Sequence, residues 1–537
     1  MKIYIFKRIL LLMLAVIVCA GVCSCAKKDD SPEKQVIYYS IPYEPETLDP
    51  QIADDSCERL IITNVFEGLV RLGKDGSIVP GAAQSWEVSA DGLSYTFVLR
   101  KGLKWSNGSE LPARDFVYGI ERAISPDTNS PIADTLFCIK NARQIHDKKA
   151  DISELGISAP DNTTVKIELE SPEADFLEIL TTAPAMPCNK KFFESSGGQY
   201  GRTDEKIICN GAFMLDKGDW IENSSIYLTR NPAYCGNNKP VPAGVSLSIG
   251  KKFDNMCDAI ISGDTDCGAI SRRDIDKAKD EKLNITSFED TLWGISFNCG
   301  NDILRHTEIR QSLCSFIDRS YLTKDIPDHC SEAGCIIPDT AVIEGKQYRK
   351  IAGDITYTKQ SEPQKLLQRG LHEADLTLMP NMTILCSDDE QVQSLVNDLI
   401  EVWNKNTGAY FNKKPVPEET LRERISSGAY QIAIAPLDVS SRSPLPTISA
   451  FTSASQSAPS VFSSEEYDSL VNSIHDDLSV SSIATVKQCE QYILSNAVFY
   501  PLFTEYRYCA SASNIKNILF RSYDYDIDFF FAEKNVE

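Results

Sequence analysis

Between Ile78 and Ile124 the apolar and polar positions follow two periods in succession. Trp86 and Val88 alternate with polar neighbours, and Asp91-Gly92 supplies a turn. Tyr95, Phe97 and Leu99 then alternate with Thr96, Val98 and Arg100, which predicts a hairpin. A second turn at Asn107-Gly108 leads to Pro112 at a helix start, and beyond it Phe116, Val117, Ile120, Ala123 and Ile124 fall on one helical face.

The same two periods recur along the chain. Val36 to Tyr39 predicts a short buried strand, followed by the Pro-rich turn Glu44 to Pro50. Asp55 with Glu58 three residues on marks a helix start, and that helix turns Leu60, Ile61, Val65, Phe66 and Leu69 inward. Strands are expected at Thr164 to Leu169, Asn210 to Leu215, Ser225 to Thr229, Val245 to Ile249, Asp266 to Ile270, Leu292 to Phe297, Tyr430 to Ala435 and Val498 to Phe503. A helix near Ile309 to Asp318 and a longer one opened by Ser387 with Glu390 lie between the later strands. Ser440 to Ser460 is Ser- and Pro-rich and is expected to be a loop. Strands and helices alternate throughout, so the fold class is α/β. No period of 20 to 50 residues marks a solenoid or propeller.

At 537 residues the chain exceeds one ordinary core, so two or three lobes are expected. The net charge of −22 lacks the clustered Lys and Arg of a nucleic-acid surface. The first residues change the picture further. Lys2, Lys7 and Arg8 precede the apolar run Ile9 to Ala20, which has the order of a signal peptide and is short for a membrane span. The run ends in Val22-Cys23-Ser24-Cys25, which resembles a bacterial lipobox and implies cleavage before Cys25 and lipidation of its thiol. Removing residues 1–24 takes away three positive charges and leaves −25. The mature chain is then expected to be a lipid-anchored extracytoplasmic protein. Of 17 cysteines, fourteen lie beyond the signal region. Cys330 and Cys335 are the nearest pair for a disulfide, while the rest read equally as small buried apolar residues.

Catalytic signatures are missing. There is no GxxxxGK[ST] phosphate loop, no HExxH zinc helix and no GxSxG nucleophile elbow. The five histidines are scattered. His329 beside Cys330 and Cys335 lacks a fourth ligand at useful spacing. Ser513 to Lys516 fits SxxK without its companion motifs. No metal, cofactor or catalytic group is expected.

An ordered series of motifs carries more. Leu48-Asp49-Pro50 is followed by FEGL at Phe66 to Leu69, PGAAQSWEVSADGLSYTFVLRKGLKWSNG, Asp115 to Tyr118 and Arg122-Ala123. NGAFML at Asn210 to Leu215, NPAYCG at Asn231 to Gly236, SGDTD at Ser262 to Asp266 and IRQSLCSFIDR at Ile309 to Arg319 continue it. In this order the chain resembles the large extracellular solute-binding proteins of ABC importers, family 5, the group that includes the oligopeptide-binding proteins. The resemblance implies a periplasmic-binding-protein-like fold of type II, in its large three-lobe variant, with a hinge and an interlobe ligand cleft. Residues 36–69, 208–291 and 499–537 would form lobe I, residues 70–207 lobe II and residues 292–498 lobe III. Residues 1–24 would be the signal peptide and residues 25–35 the lipidated cysteine and tether. The implied function is non-catalytic: a monomer captures an oligopeptide and delivers it to a membrane permease driven by a separate ATPase. The same fold in relatives takes nickel complexes, haem, sugars or opines. A secreted lipoprotein hydrolase is the alternative of another class, and a ligand-sensing lipoprotein a third.

In peptide-binding members an Asp in a GW-x-x-DY-x-x-P segment holds the peptide ammonium. The matching region here is Tyr430 to Pro444. Aligned on Pro444, Leu437 stands at the Trp position and Ser440 at the Asp position, with Asp438 two residues earlier. Asp438 is therefore the expected anchor. Arg442 suits an anionic group or a peptide carboxylate. Trp293, at the crossing between lobes, is a candidate to stack on ligand, and Asp54 follows the turn where family members approach it.

Overall fold

The computed structural model describes residues 35–535 except 75–76, 90, 172, 174–175, 237, 323–325, 328–329, 344–345, 442, 456–457, 476–481 and 522–526. The chain opens with β1 (Val36–Ile41) and α1 (Ser56–Val65), whose N-cap Asp55 accepts from the Cys57 amide. The predicted hairpin follows as β2 (Ala83–Val88) and β3 (Ser94–Leu99), then α2 (Ala113–Ile124) and β4 (Thr164–Glu168). Tyr95, Phe97 and Leu99 on β3 are buried, as are Phe116, Val117, Ile120, Ala123 and Ile124 on α2. On β3 and α2 the apolar alternation faces the core where the pattern places it, while on β2 Trp86 is half-buried and Val88 exposed.

The chain continues through β5 (Ser225–Arg230), β6 (Gly244–Ile249), β7 (Cys267–Ile270) and β8 (Asn284–Phe297). Its last part holds α3 (Thr307–Phe316), β9 (Cys330–Glu332), β10 (Met382–Ser387), α4 (Glu390–Thr407), β11 (Phe411–Val416), β12 (Ile432–Asp438), α5 (Ile483–Ser495) and β13 (Phe499–Ser511). Four local expectations change. α1 stops at Val65, so Phe66 and Leu69 are buried beyond the helix, and the strand expected at Asn210 to Leu215 is limited to Phe213–Met214. Ser387 ends β10, paired with Val416, so the N-cap of α4 is Asp389, which accepts from the Gln391 and Val392 amides. The stretch expected as a loop contains the short helix Pro444–Ser449, capped by Ser443 with proline in its first turn.

Three sheets organise the molecule. β1 pairs parallel with β6 and β6 antiparallel with β5, while β2, β3, β4 and the strand Ile157–Asp161 form a four-stranded sheet. The largest sheet has the order β7-β13-β8-β12-β10-β11, with β9 also on β13. One apolar core gathers residues from 37 to 249 and from 509 to 532, and a second gathers residues from 292 to 503. β8 and β13, 14 and 13 residues long, are antiparallel partners that run from the first core into the second. Bulges interrupt their register between Glu289 and Thr291, where the two strands pass between cores, and between Trp293 and Gly294, inside the second core. All fourteen cysteines beyond the signal region are free, so Cys330 and Cys335 are not bridged; nine are buried and five half-buried. No helix among the described residues is long and apolar enough to cross a membrane.

The ordered motifs bond to one another and to the backbone around them. Asp49 of the LDP turn takes the Arg122 guanidinium at 2.7 and 3.1 Å, and the same guanidinium lies 3.7 Å above the Phe193 ring. Glu67 of FEGL accepts from Arg100 and from the Tyr234 hydroxyl, and its backbone exchanges hydrogen bonds with the Asn210 amide. Asp266 of SGDTD receives Tyr38 N–H at 2.8 Å and Lys534 at 2.7 Å. Arg310 caps the Leu304 and Asn496 carbonyls at 2.7 and 2.8 Å. Buried polar groups require partners: the LDP, FEGL, Arg122, NGAFML and NPAYCG motifs supply one another's, while SGDTD and IRQSLCSFIDR bond to residues outside the series. They are scaffold.

Candidate functional site

Directly opposed residues in a ladder share a sheet face. Thr291 opposes both Asp438 and Glu505, and Trp293 opposes Pro436 and Phe503, so Asp438, Glu505 and Trp293 lie on one face. Asp438 ends β12 with an exposed carboxylate. Its Oδ1 accepts from the Ser440 amide at 2.9 Å and the Ser440 hydroxyl at 2.7 Å, while Oδ2 has no partner among the described residues. Ser440 thus folds back onto the Asp438 carboxylate and orients it. Trp293 is only 5% exposed; its indole N–H donates to Glu505 at 3.1 Å and its ring packs on Phe503 at 6.1 Å. These protein contacts occupy the side chain expected to stack on ligand. Asp54, ahead of α1 in the other core, is exposed, and its carbonyl receives Arg59. Next to it Asp55 takes the Tyr43 hydroxyl, which pushes the Tyr43 phenol up to about 12. Arg442 and Cys25 lie outside the described residues.

The other face of the same sheet holds a hollow that the sequence did not mark. Leu292, Thr504 and Val439 line it, together with Glu289, Tyr506 and the segment from Ser331 to Asp339, enclosing about 250 Å³. Glu289 reaches this face because the bulge at Asp290 shifts the register and sets it opposite Tyr506. The displaced Asp290 carboxylate takes Arg507 instead. Val439 follows Asp438 in the chain, so the hollow begins one residue beyond the expected anchor.

A buried carboxylate holds the wall of this hollow. Glu490 on α5 has no solvent exposure. Its Oε1 accepts the Ile336 and Ile337 amides at 2.9 and 3.0 Å, and its Oε2 the Arg349 guanidinium at 2.9 Å and the Tyr348 hydroxyl at 3.2 Å. Arg349 in turn donates to the Ile337 carbonyl at 3.1 Å. A loop that would otherwise slide over the sheet is fixed at two consecutive amides. Neither Glu490 nor Arg349 carries a local motif, so no sequence signal identified them.

The chain matches the profile of the bacterial extracellular solute-binding proteins, family 5 (middle region), over residues 77–459. It is 22% identical over 513 residues to the dipeptide-binding protein DppE of Bacillus subtilis, covering 95% of this chain and 93% of that protein. Among solved structures it superposes on the unliganded open form of the murein tripeptide-binding protein MppA with a TM-score of 0.77 and 25% identity, covering 94% of this chain and 98% of that one. The peptide-bound OppA of Listeria monocytogenes, 21% identical, gives 0.63 over 94% of this chain and 99% of that one. The α/β architecture is that of the type II periplasmic-binding proteins. Family profile, full-length relatives and fold agree with the ordered motifs: the chain belongs to family 5 of the bacterial extracellular solute-binding proteins.

Proposed function

We propose that this chain is the lipid-anchored substrate-binding component of an ABC importer, which captures oligopeptides in a cleft between lobes I and III and hands them to a permease. The observation that carries the reading is Asp438: an exposed carboxylate at a strand end, oriented by Ser440, with one oxygen free of partners among the described residues. Such a group accepts a peptide ammonium through charge-assisted bonds worth about 1.5–3 kcal/mol. Asp54 approaches the ligand from lobe I, and Arg442 takes an anionic group of it. Trp293 serves by holding Glu505 and packing the strand behind the anchor. β8 and β13 act as the hinge, the bulge at Asp290 lying where the two paired strands pass between cores. The names of DppE and of the murein tripeptide-binding protein, and the likeness to the latter's unliganded open form, favour a peptide ligand and a cleft that closes on it.

Titration calorimetry of the mature protein with tri- to pentapeptides tests the anchor. Acetylation of the peptide N-terminus and Asp438→Ala should each weaken binding about tenfold or more, and together little further. Equal affinity for free and acetylated peptides removes Asp438 from this role. For the membrane anchor, Cys25→Ala should release the protein from the membrane fraction; retention would refute lipidation at Cys25.

A further inference from the structure

A second cavity lies in the first core, between the C-terminal end of α1, the FEGL turn and the last stretch of the chain. Its charged lining residues are Glu67, Arg71, Arg521 and Asp528. Both carboxylates are already served. Glu67 accepts from Arg100 through Oε1 and from the Tyr234 hydroxyl through Oε2, and Asp528 accepts from the Phe530 amide at 2.8 Å and from Arg71 at 3.1 Å. Two of the donors are not. The Nε–H groups of Arg71 and Arg521 are shielded from solvent and have no hydrogen-bond partner among the described residues. Arg71 and Arg100 are held by Glu67 and Asp528, whereas Arg521 forms no ion pair among the described residues. Three guanidinium charges therefore meet two carboxylates, and one positive charge is left without a counterion. A buried donor without an acceptor and a sheltered charge without a counterion both cost free energy. Water would satisfy the donors and leave the charge; an anion answers both. The cavity measures about 20 Å³, room for a single small species.

We propose that this cavity binds one small monovalent anion, a halide such as chloride, which accepts from the Nε–H groups of Arg71 and Arg521. The single uncompensated charge sets the valence, and the size of the cavity sets the class of ion. Phe66, Phe213 and Phe530 form apolar walls, which disfavour anions that hold their hydration most tightly. One side of the site is fixed in advance, because the Arg71 guanidinium is bonded to Asp528 and lies 3.8 Å above the Phe530 ring. The other side, Arg521, comes from the last stretch of the chain, so a bound ion ties that stretch to the Glu67 and Arg71 network. Occupancy then stabilises the first core by mass action. The site is remote in sequence from Asp438 and does not depend on the peptide reading.

Thermal unfolding of the mature protein in sodium chloride, sodium bromide and sodium gluconate at equal ionic strength tests the site. Chloride and bromide should each raise the midpoint by about 2 °C or more over gluconate, along a curve that saturates with halide concentration. Arg521→Met keeps an apolar stem and removes the guanidinium, so it should abolish that difference, while bulk salt effects act alike on both proteins. Equal midpoints of the unsubstituted protein in the three salts overturn the proposal. A halide effect that is unchanged in Arg521→Met places the ion elsewhere and overturns this site. Bromide-soaked crystals of the unsubstituted protein give a readout that does not require the variant to fold. An anomalous peak between Arg71 and Arg521 is expected there, and a position without anomalous signal overturns the proposal.

Discussion

Replacing Glu490 with alanine removes one carboxylate and leaves several groups unmet at once. The side chain is fully buried, and its partners are two consecutive amides, the Tyr348 hydroxyl and a guanidinium whose own side chain is 7% exposed. Removing one member of a buried ion pair strands the other charge in a medium that solvates it poorly, at a cost of about 3–5 kcal/mol. The Ile336 and Ile337 amides lose their acceptor in the same step, and the wall of the hollow with them. Trp293 and Trp403 both belong to the core that Glu490 supports, so tryptophan fluorescence during urea unfolding reports on it. The midpoint should fall by the equivalent of about 3–5 kcal/mol. In Glu490→Leu with Arg349→Met the stranded charge is gone, and the pair should cost clearly less than the sum of the single substitutions. A loss below about 1 kcal/mol for Glu490→Ala, or strict additivity in the cycle, would refute the reasoning.

Other outcomes follow from burial and backbone. Asp115 is buried, and desolvation outweighs the hydrogen bonds from Trp105 and Asn189, so its carboxyl is pushed up to about 6. With the unfolded value near 3.8, its contribution is fully present below that pH and is lost as pH rises through about 6, on the order of 3 kcal/mol. Asp115→Asn should therefore shrink the stability difference between pH 4 and pH 8 in parallel denaturation curves; an unchanged difference contradicts the assignment. Gly201 has φ of +74°, and a Cβ there would lie 2.3 Å from the Asp49 nitrogen. Gly201→Ala should cost at least about 2 kcal/mol in thermal unfolding by breaking the LDP turn, whereas a neutral change would mean that the turn can shift. Arg122→Lys keeps the charge but loses the fork on Asp49 and Gln51 and the stack on Phe193. It should destabilise the first core by about 2 kcal/mol or more in the same assay.

What the sequence made legible follows from where physical constraints are local. β3 and α2 are each buried on one face, so their apolar periods are clean and their limits nearly coincide with the pattern, whereas β2 leaves Val88 exposed and Trp86 half-buried. β8 and β13 were visible only in their halves within the second core, around Leu292 to Phe297 and Val498 to Phe503. Toward the first core Asn284 to Thr291 and Thr504 to Ser511 mix exposed, half-buried and charged positions, and a bulge at Asp290 breaks the alternation. A strand that spans two cores has no single inside. The motifs were legible because they bond to one another: Asp49 to Arg122, and Glu67 to Arg100, Tyr234 and Asn210. Their partners are fixed by the fold, so their spelling identifies the family.

The ligand side was less legible for the converse reason. Asp438 was located through resemblance, and the structure adds its companion Ser440 and the direction of its face. The hollow draws on separate stretches around Glu289, Ser331 to Asp339, Asp354, Val439 and Thr504 to Tyr506. None of these carries a motif, and the register shift that turns Glu289 inward exists only once β8 and β13 are paired. The proposed solute site is assembled by tertiary structure.

Native mass spectrometry of the mature protein purified from its own cells tests the central claim most directly. Adducts that dissociate into peptides of mixed sequence, and that are depleted in Asp438→Ala, are expected. A single defined small molecule, or a metal adduct in place of peptides, would contradict it.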